Sequence, residues 1–119
     1  MDELKIESIP GTREGTRIVR LSGPFTLQGL FDFQSIARSL RDPITIIDLT
    51  NVPYMDSASL GAVMGIHTSS QTHKRQYALV GMSERLRTLF HVAGVDNILV
   101  TYPTVEEAQE KLASRAAAQ

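Results

Sequence analysis

The chain has 119 residues, of which 42% are hydrophobic and 21% are charged. These proportions are typical of a globular domain and exclude a disordered, collagen-like or coiled-coil protein. A formal net charge of -1 provides no positive field that would gather nucleic acid or an anionic membrane. Because cysteine is absent, disulfides, thiol nucleophiles and cysteine-based zinc sites are excluded. We expect one domain over residues 1–119.

The first two apolar stretches predict a β-hairpin. They cover residues 4–9 and 18–21, and the polar, glycine-containing segment 10–15 separates them. Gly23-Pro24 is expected to end the second strand.

A helix and a buried strand follow the hairpin. Four apolar side chains recur at the i, i+3, i+4, i+7 spacing of a helix that lies on a sheet: Phe33, Ile36, Ala37 and Leu40. Pro43 should end this helix. The nearly continuous apolar run over residues 44–49 is typical of a strand that is covered on both faces, which places it centrally in the sheet.

A second helix is predicted from Ser57 to His73. Its small residues share one side, and we expect that side to let the helix approach the sheet closely: Ala58, Gly61, Ala62 and Gly65. A strand should follow over residues 77–80.

The last third of the chain predicts two further helices and one strand. Ser83 is placed to cap a helix that Gly94 ends. A short strand is expected over residues 98–100, and the capping box 104–107 should open a terminal helix that runs through Leu112. Residues 114–119 are expected to be a frayed tail. This order of elements predicts an α/β domain with a mixed central β-sheet and helices packed mainly on one face.

The segment after the central strand is the candidate functional site. Asp56 is suited to cap the second helix, which would leave the Ser57 hydroxyl at the first helical position, near the positive end of the helix dipole. A kinase could reach a hydroxyl there, and a phosphate would add about 1.5 to 2 negative charges beside Asp56. The alternative is that Asp56 and Ser57 only cap the helix.

The run Asp56-Ser57-Ala58-Ser59-Leu60-Gly61 resembles the signature loop of anti-sigma factor antagonists in the STAS family. The segment 83–90 with Ala93-Gly94-Val95, which carries the helix between Ser83 and Gly94, and the order of strands are also similar to that family. The resemblance implies a STAS-like fold and a non-enzymatic protein that binds an anti-sigma factor with serine kinase activity. It implies that phosphorylation of Ser57 releases this partner. It also implies a set of partner-binding residues: Asp56, Ser57, Ala58, Ser59, Thr26, Tyr54 and Met55.

The sequence departs from the family pattern at four positions. Ala58 replaces a hydroxyl residue, Ser59 replaces glycine, and Pro24 and Thr26 stand where antagonists usually carry acidic residues. Ser59 is left open as a second phosphate acceptor or as a helix-start residue. The departures also motivate an alternative function, a constitutive STAS scaffold subunit of a transporter or signalling complex without a phosphorylation switch.

Other functions find little support in the sequence. The three histidines lack metal-ligand spacing, so no metal or cofactor is expected. The nucleophile elbow of a hydrolase and the phosphate-binding loop are both absent, and hydrolase activity and direct nucleic-acid binding are not expected. Without an apolar signal segment or spanning run, we expect a cytoplasmic protein that does not insert into a membrane. Monomer and weak homodimer both remain open.

Overall fold

The computed structural model describes residues 3–117, and five strands form one sheet in the order β1-β2-β3-β4-β5. Strand β1 pairs antiparallel with β2, whereas β2 to β5 all run parallel. The predicted hairpin and the central position of β3 are confirmed. The strands are β1 (Lys5–Pro10), β2 (Thr16–Ser22), β3 (Ile44–Asn51), β4 (Gln76–Val80) and β5 (Thr101–Tyr102).

Three helices connect successive parallel strands on one face of the sheet, and a fourth follows the last strand and packs on the other face. A 3-10 turn over Leu27–Gly29 precedes the first of them. The helices are α1 (Leu30–Ser39), α2 (Ser57–Thr72), α3 (Glu84–Val92) and α4 (Val105–Ala117). Within residues 3–117, no helix combines the length and the hydropathy that a membrane-spanning segment requires.

Strand β3 separates two hydrophobic cores because its side chains alternate between the faces of the sheet. On one face, Ile47 and Leu49 belong to a core that includes buried residues of α1, α2 and α3. On the other face, Ile44 and Ile46 pack in a smaller core with Leu112 of α4. The predicted α/β fold, a mixed sheet with helices mainly on one face, is confirmed.

The prediction of a last strand over residues 98–100 is wrong. The N–H groups of Ile98 and Leu99 both donate to the carbonyl of Val95, at 3.0 and 3.1 Å, which holds this segment in a turn. Leu99 is buried in the larger core, so its apolar character serves packing rather than strand pairing. The chain enters β5 only at Thr101.

Two helix predictions also need correction. Helix α4 continues to Ala117, so residues 114–117 are helical rather than frayed, while residues 118–119 lie outside the described part of the chain. Arg115 in the last turn favours this extension because a cation stabilises the negative end of a helix dipole. In α2, the larger Leu60 and Val63 face the core, whereas Gly61 and Gly65 are exposed, so the small side does not pack on the sheet.

Gly81 allows the carboxyl ends of β3 and β4 to lie close together, at the end of the sheet where the candidate site lies. Its φ is +73°, and a Cβ at this position would collide with the Thr50 side chain at the end of β3. A Gly81→Ala variant should therefore lose about 2 to 4 kcal/mol of unfolding free energy, since left-handed strain and overpacking add.

Gly94 supplies the matched control for this variant. Its φ is +75°, but a Cβ there would meet nothing within 4 Å, so Gly94→Ala should cost only the backbone strain of about 1 to 2 kcal/mol. Urea denaturation of both variants measures the difference. Equal losses for Gly81→Ala and Gly94→Ala would contradict the proposed steric contact with Thr50.

Candidate functional site

The candidate site forms where two chain segments leave the carboxyl ends of β2 and β3 side by side. Gly23 N–H donates to the carbonyl of Asn51 at 3.0 Å, and Phe25 N–H donates to the carbonyl of Tyr54 at 3.1 Å. Phe25 is buried and forms an isolated parallel bridge with Met55. The two segments are therefore held together beyond the ends of their strands.

The Asp56 carboxylate joins the start of α2 to the segment that leads into α1. One oxygen, Oδ1, accepts a hydrogen bond of 2.9 Å from the backbone N–H of Ser59, as the predicted N-cap requires. The other oxygen, Oδ2, accepts one of 3.0 Å from the backbone N–H of Leu27. The Ser59 N–H lowers the pKa of the Asp56 carboxyl most strongly, and the Leu27 N–H lowers it further, against the opposing effect of partial burial. Asp56 is therefore ionised at neutral pH.

Ser59 completes a capping box and lies wholly inside the protein. Its hydroxyl accepts from Asp56 N–H at 3.1 Å and donates to the Asp56 carbonyl at 2.9 Å. Because the side chain is fully buried and both hydrogen bonds are internal, it offers nothing to a kinase or a binding surface. The geometry makes Ser59 a helix-start residue, and partner binding by Ser59 stays a prediction.

Ser57 is the first residue of α2, and its side chain is exposed. The backbone N–H groups of Ser57 and Ala58 occupy the first turn, where a helix provides no internal acceptor. The structure thus places an accessible alcohol at the positive end of a helix, directly beside an ionised carboxylate.

The other predicted partner-binding residues differ in accessibility. Tyr54 is 42% exposed, and the Arg85 guanidinium lies 5.5 Å from the centre of its ring. Thr26 and Ala58 are half-buried. Met55 is buried in the larger core, so its side chain is not part of the exposed surface, and its role in partner binding stays a prediction. Its apolar side chain anchors the loop below Ser57.

Two exposed apolar residues near Asp56 were missed by the sequence reasoning. Leu27, whose N–H binds Asp56, is 66% exposed, and Phe31 in α1 is 84% exposed. Both lie outside the apolar stripe of α1, whose buried member is Phe33. Leu27 lies in the 3-10 turn before α1 and has no helical signal, whereas Phe31 could have been found as an apolar residue outside the apolar stripe of the helix.

A groove of about 340 Å³ runs between α1 and α2 and begins next to Ser57. The small residues of α2 form one of its walls: Ala58, Gly61, Ala62 and Gly65. Phe33, Ala37 and Arg38 contribute to the wall on α1. The small-residue side of α2 therefore shapes an open surface beside the candidate site.

The histidines are engaged in pairs rather than in a cluster. His67 Nδ1 lies 2.7 Å from the Tyr77 hydroxyl, and His91 Nδ1 lies 2.8 Å from Asp96 Oδ2. Burial raises the pKa of Tyr77, and the His91 hydrogen bond lowers the pKa of Asp96. Within residues 3–117, no three histidine or acidic side chains come together as metal ligands would.

Comparison with known proteins identifies the family. The sequence model of the STAS domain family matches residues 7–108, so the chain belongs to the STAS family. The anti-sigma-B factor antagonist of Listeria monocytogenes is 42% identical over 53 residues. That match covers 44% of this chain and 46% of the relative, so it spans less than half the length of the curated protein.

Solved structures with low sequence identity share the fold. An anti-sigma factor antagonist from Thermotoga maritima has a TM-score of 0.79 at 19% identity, covering 90% of this chain and 93% of its own. The Bacillus cell fate determinant SpoIIAA in its phosphorylated form has a TM-score of 0.68 at 18% identity, covering 92% and 98%. At this identity the likeness is evidence for the fold alone.

The hydrogen bonds to Asp56 predict a pH-dependent contribution to stability. Because the folded-state pKa of Asp56 lies below its ordinary value of 3.8, the contribution is present above that value and is lost as pH falls through the folded pKa. At pH 7, Asp56→Ala should lower the unfolding free energy by about 1 to 3 kcal/mol, since two backbone donors lose their acceptor.

Urea denaturation of wild type and Asp56→Ala at several pH values checks this prediction. The difference between the two proteins should be constant from pH 7 to about pH 5 and should shrink on further acidification. Glu14→Ala, at an exposed carboxylate outside the helices and without an ion pair among residues 3–117, is the control and should change the unfolding free energy little at any of these pH values. A difference for Asp56→Ala that is independent of pH would contradict the role of its charge.

Proposed function

We propose that the chain is an anti-sigma factor antagonist whose binding is switched by phosphorylation of Ser57. In the unphosphorylated state it binds an anti-sigma factor that is also a serine kinase, and phosphate on Ser57 ends this binding. The observation that carries the proposal is the exposed Ser57 hydroxyl beside the ionised, internally bonded Asp56 carboxylate. Membership of the STAS family and the name of the Listeria relative support it.

The fold can accept a phosphate on Ser57. The N–H groups at the start of α2 face the added charge, and a helix N-terminus is a favourable place for an anion. The two Asp56 oxygens accept hydrogen bonds from the N–H groups of Leu27 and Ser59, so the carboxylate is held in place when a phosphate is added to Ser57. We therefore expect phosphorylation to change the surface of the domain and not its folded structure.

The partner would experience that change as charge and volume. A phosphate carries about 1.5 to 2 negative charges at pH 7 and adds three acceptor oxygens. Beside the Asp56 carboxylate, it would form a dense negative patch on a surface that was shaped for a neutral hydroxyl. The repulsion and the cost of desolvating both anions would act against the complex.

Exposed apolar side chains next to this patch supply contact area for the proposed partner. Leu27 and Phe31 lie on the segment that Asp56 holds against α2, and Tyr54 precedes Asp56 in the chain. Large exposed apolar groups that cluster near a polar site are typical of protein interfaces. In this proposal Ser57 is the substrate of the partner's kinase activity, the chain itself carries no catalytic residue, and the complex acts in the cytoplasm.

Charge variants at Ser57 test the proposal by direct binding. Ser57→Ala should bind the host's anti-sigma factor kinase about as tightly as wild type, because both present a neutral side chain. Ser57→Asp should bind at least about tenfold more weakly, which corresponds to about 1.4 kcal/mol of repulsion. Isothermal titration calorimetry measures the three affinities.

Ser8→Asp controls for the added charge, because Ser8 is exposed on the edge strand β1, opposite Val19 and not at the strand ends that form the candidate site. It should bind like wild type. If Ser57→Asp bound as tightly as wild type, the phosphorylation switch would be excluded and a constitutive scaffold role would be favoured. If wild type itself did not bind the kinase, the proposed partner class would be wrong.

A further inference from the structure

A second groove lies on α3, away from the segment that carries Ser57. We call it the β5 groove. It has a volume of about 560 Å³ and runs between α3 and the strand β5, with Glu84, Arg87 and His91 on the helix and Thr101 and Tyr102 on the strand. No residue of the segment 54–59 lines it. Its size falls in the range of protein pockets that hold ligands or peptide segments.

The strand side of the β5 groove is an open sheet edge. β5 is the last strand of the sheet, and Thr101 is exposed. Thr101 is paired with Leu79, whose N–H donates to the carbonyl of Val100 at 2.9 Å. In a parallel ladder with this register, the N–H and C=O of Thr101 itself point away from β4. The groove therefore contains a backbone donor and a backbone acceptor that an added strand can bind.

The helix side of the β5 groove carries one charge of each sign. Neither Glu84 nor Arg87 forms an ion pair within residues 3–117, whereas His91 is engaged by Asp96. Glu84 and Arg87 are three positions apart on α3, which corresponds to about 4.5 Å along the helix axis. Side chains two positions apart on a strand are about 6.6 Å apart. Because Glu84 and Arg87 have long flexible side chains, they can bridge this difference in spacing and pair with two such side chains of an added strand.

Two exposed apolar residues flank the β5 groove in the chain, one just after its helix wall and one before its strand, although neither lines the groove itself. Val92, next to His91, is 79% exposed, and Ile98, in the turn before β5, is 47% exposed. Large apolar side chains left in water around a groove are typical of surfaces that bind proteins. Together with the open backbone edge, they favour an extended polypeptide as the occupant over a small polar molecule.

We propose that the β5 groove binds an extended segment of a partner protein, which adds to β5 as a sixth strand and places a basic and an acidic side chain, two positions apart, against Glu84 and Arg87. The proposal does not rest on the Ser57 switch. Backbone hydrogen bonds to Thr101 supply the attachment, and the two charges of α3 select the sequence.

Two pentapeptides with acetylated and amidated ends test the charge pattern: Lys-Val-Asp-Val-Lys and Lys-Val-Lys-Val-Lys. Each has the same order of side chains in both chain directions, so the test does not depend on whether the added strand runs parallel or antiparallel to β5. Titrations followed by backbone amide NMR should shift the signals of α3 and β5, with dissociation constants on the order of 1 mM. Wild type should prefer the peptide with the central Asp by about fivefold, the upper range of an exposed ion pair. Arg87→Glu should reverse that preference.

A form of the Lys-Val-Asp-Val-Lys peptide with every backbone nitrogen methylated tests strand addition. It keeps the side chains but cannot donate a backbone hydrogen bond from either edge, whichever way it runs along β5. It should lose binding. The proposal is overturned if the methylated form binds like the parent peptide, if α3 and β5 show no shifts, or if Arg87→Glu keeps the preference of wild type. Ser57→Asp should bind these peptides like wild type.

Discussion

The Asp56 carboxylate is the constraint on which the candidate site depends. By accepting N–H groups from both Ser59 and Leu27, it fixes the start of α2 against the segment that enters α1, although Leu27 and Asp56 are 29 positions apart in the chain. An ionised acceptor is well suited to this task because charge-assisted hydrogen bonds are stronger than neutral ones. Its depressed pKa is the expected consequence of the same two contacts.

This arrangement gives the two serines of the first turn different roles. Ser59 turns inward and exchanges hydrogen bonds with the backbone of Asp56, whereas Ser57 points into solvent. A modification of Ser59 would have to break the cap of the helix, while one at Ser57 would leave the cap intact. The structure therefore separates the group that holds the helix in place from the group that a partner can sense.

Local patterns in the sequence were sufficient for the starts of α2, α3 and α4 and for the central strand, but not for the start of α1. Asp56 and Ser83 cap the helices that their positions predicted, since a cap depends on neighbours three residues away. Periodicity could not predict that the small residues of α2 face outward, because their orientation depends on where α1 packs. The contact between Leu27 and Asp56 could not be predicted either, because it forms only when β2 and β3 pair in parallel and their following segments leave side by side. The turn before β5 depends on the burial of Leu99 in the larger core.

Site mapping by mass spectrometry after incubation with the host's anti-sigma factor kinase and ATP tests the central claim most directly. The account predicts one phosphate per chain, located on Ser57, with a folded domain that no longer co-elutes with the kinase. Phosphate on the buried Ser59, or a phosphorylated Ser57 in a chain that still co-elutes with the kinase, would contradict the account.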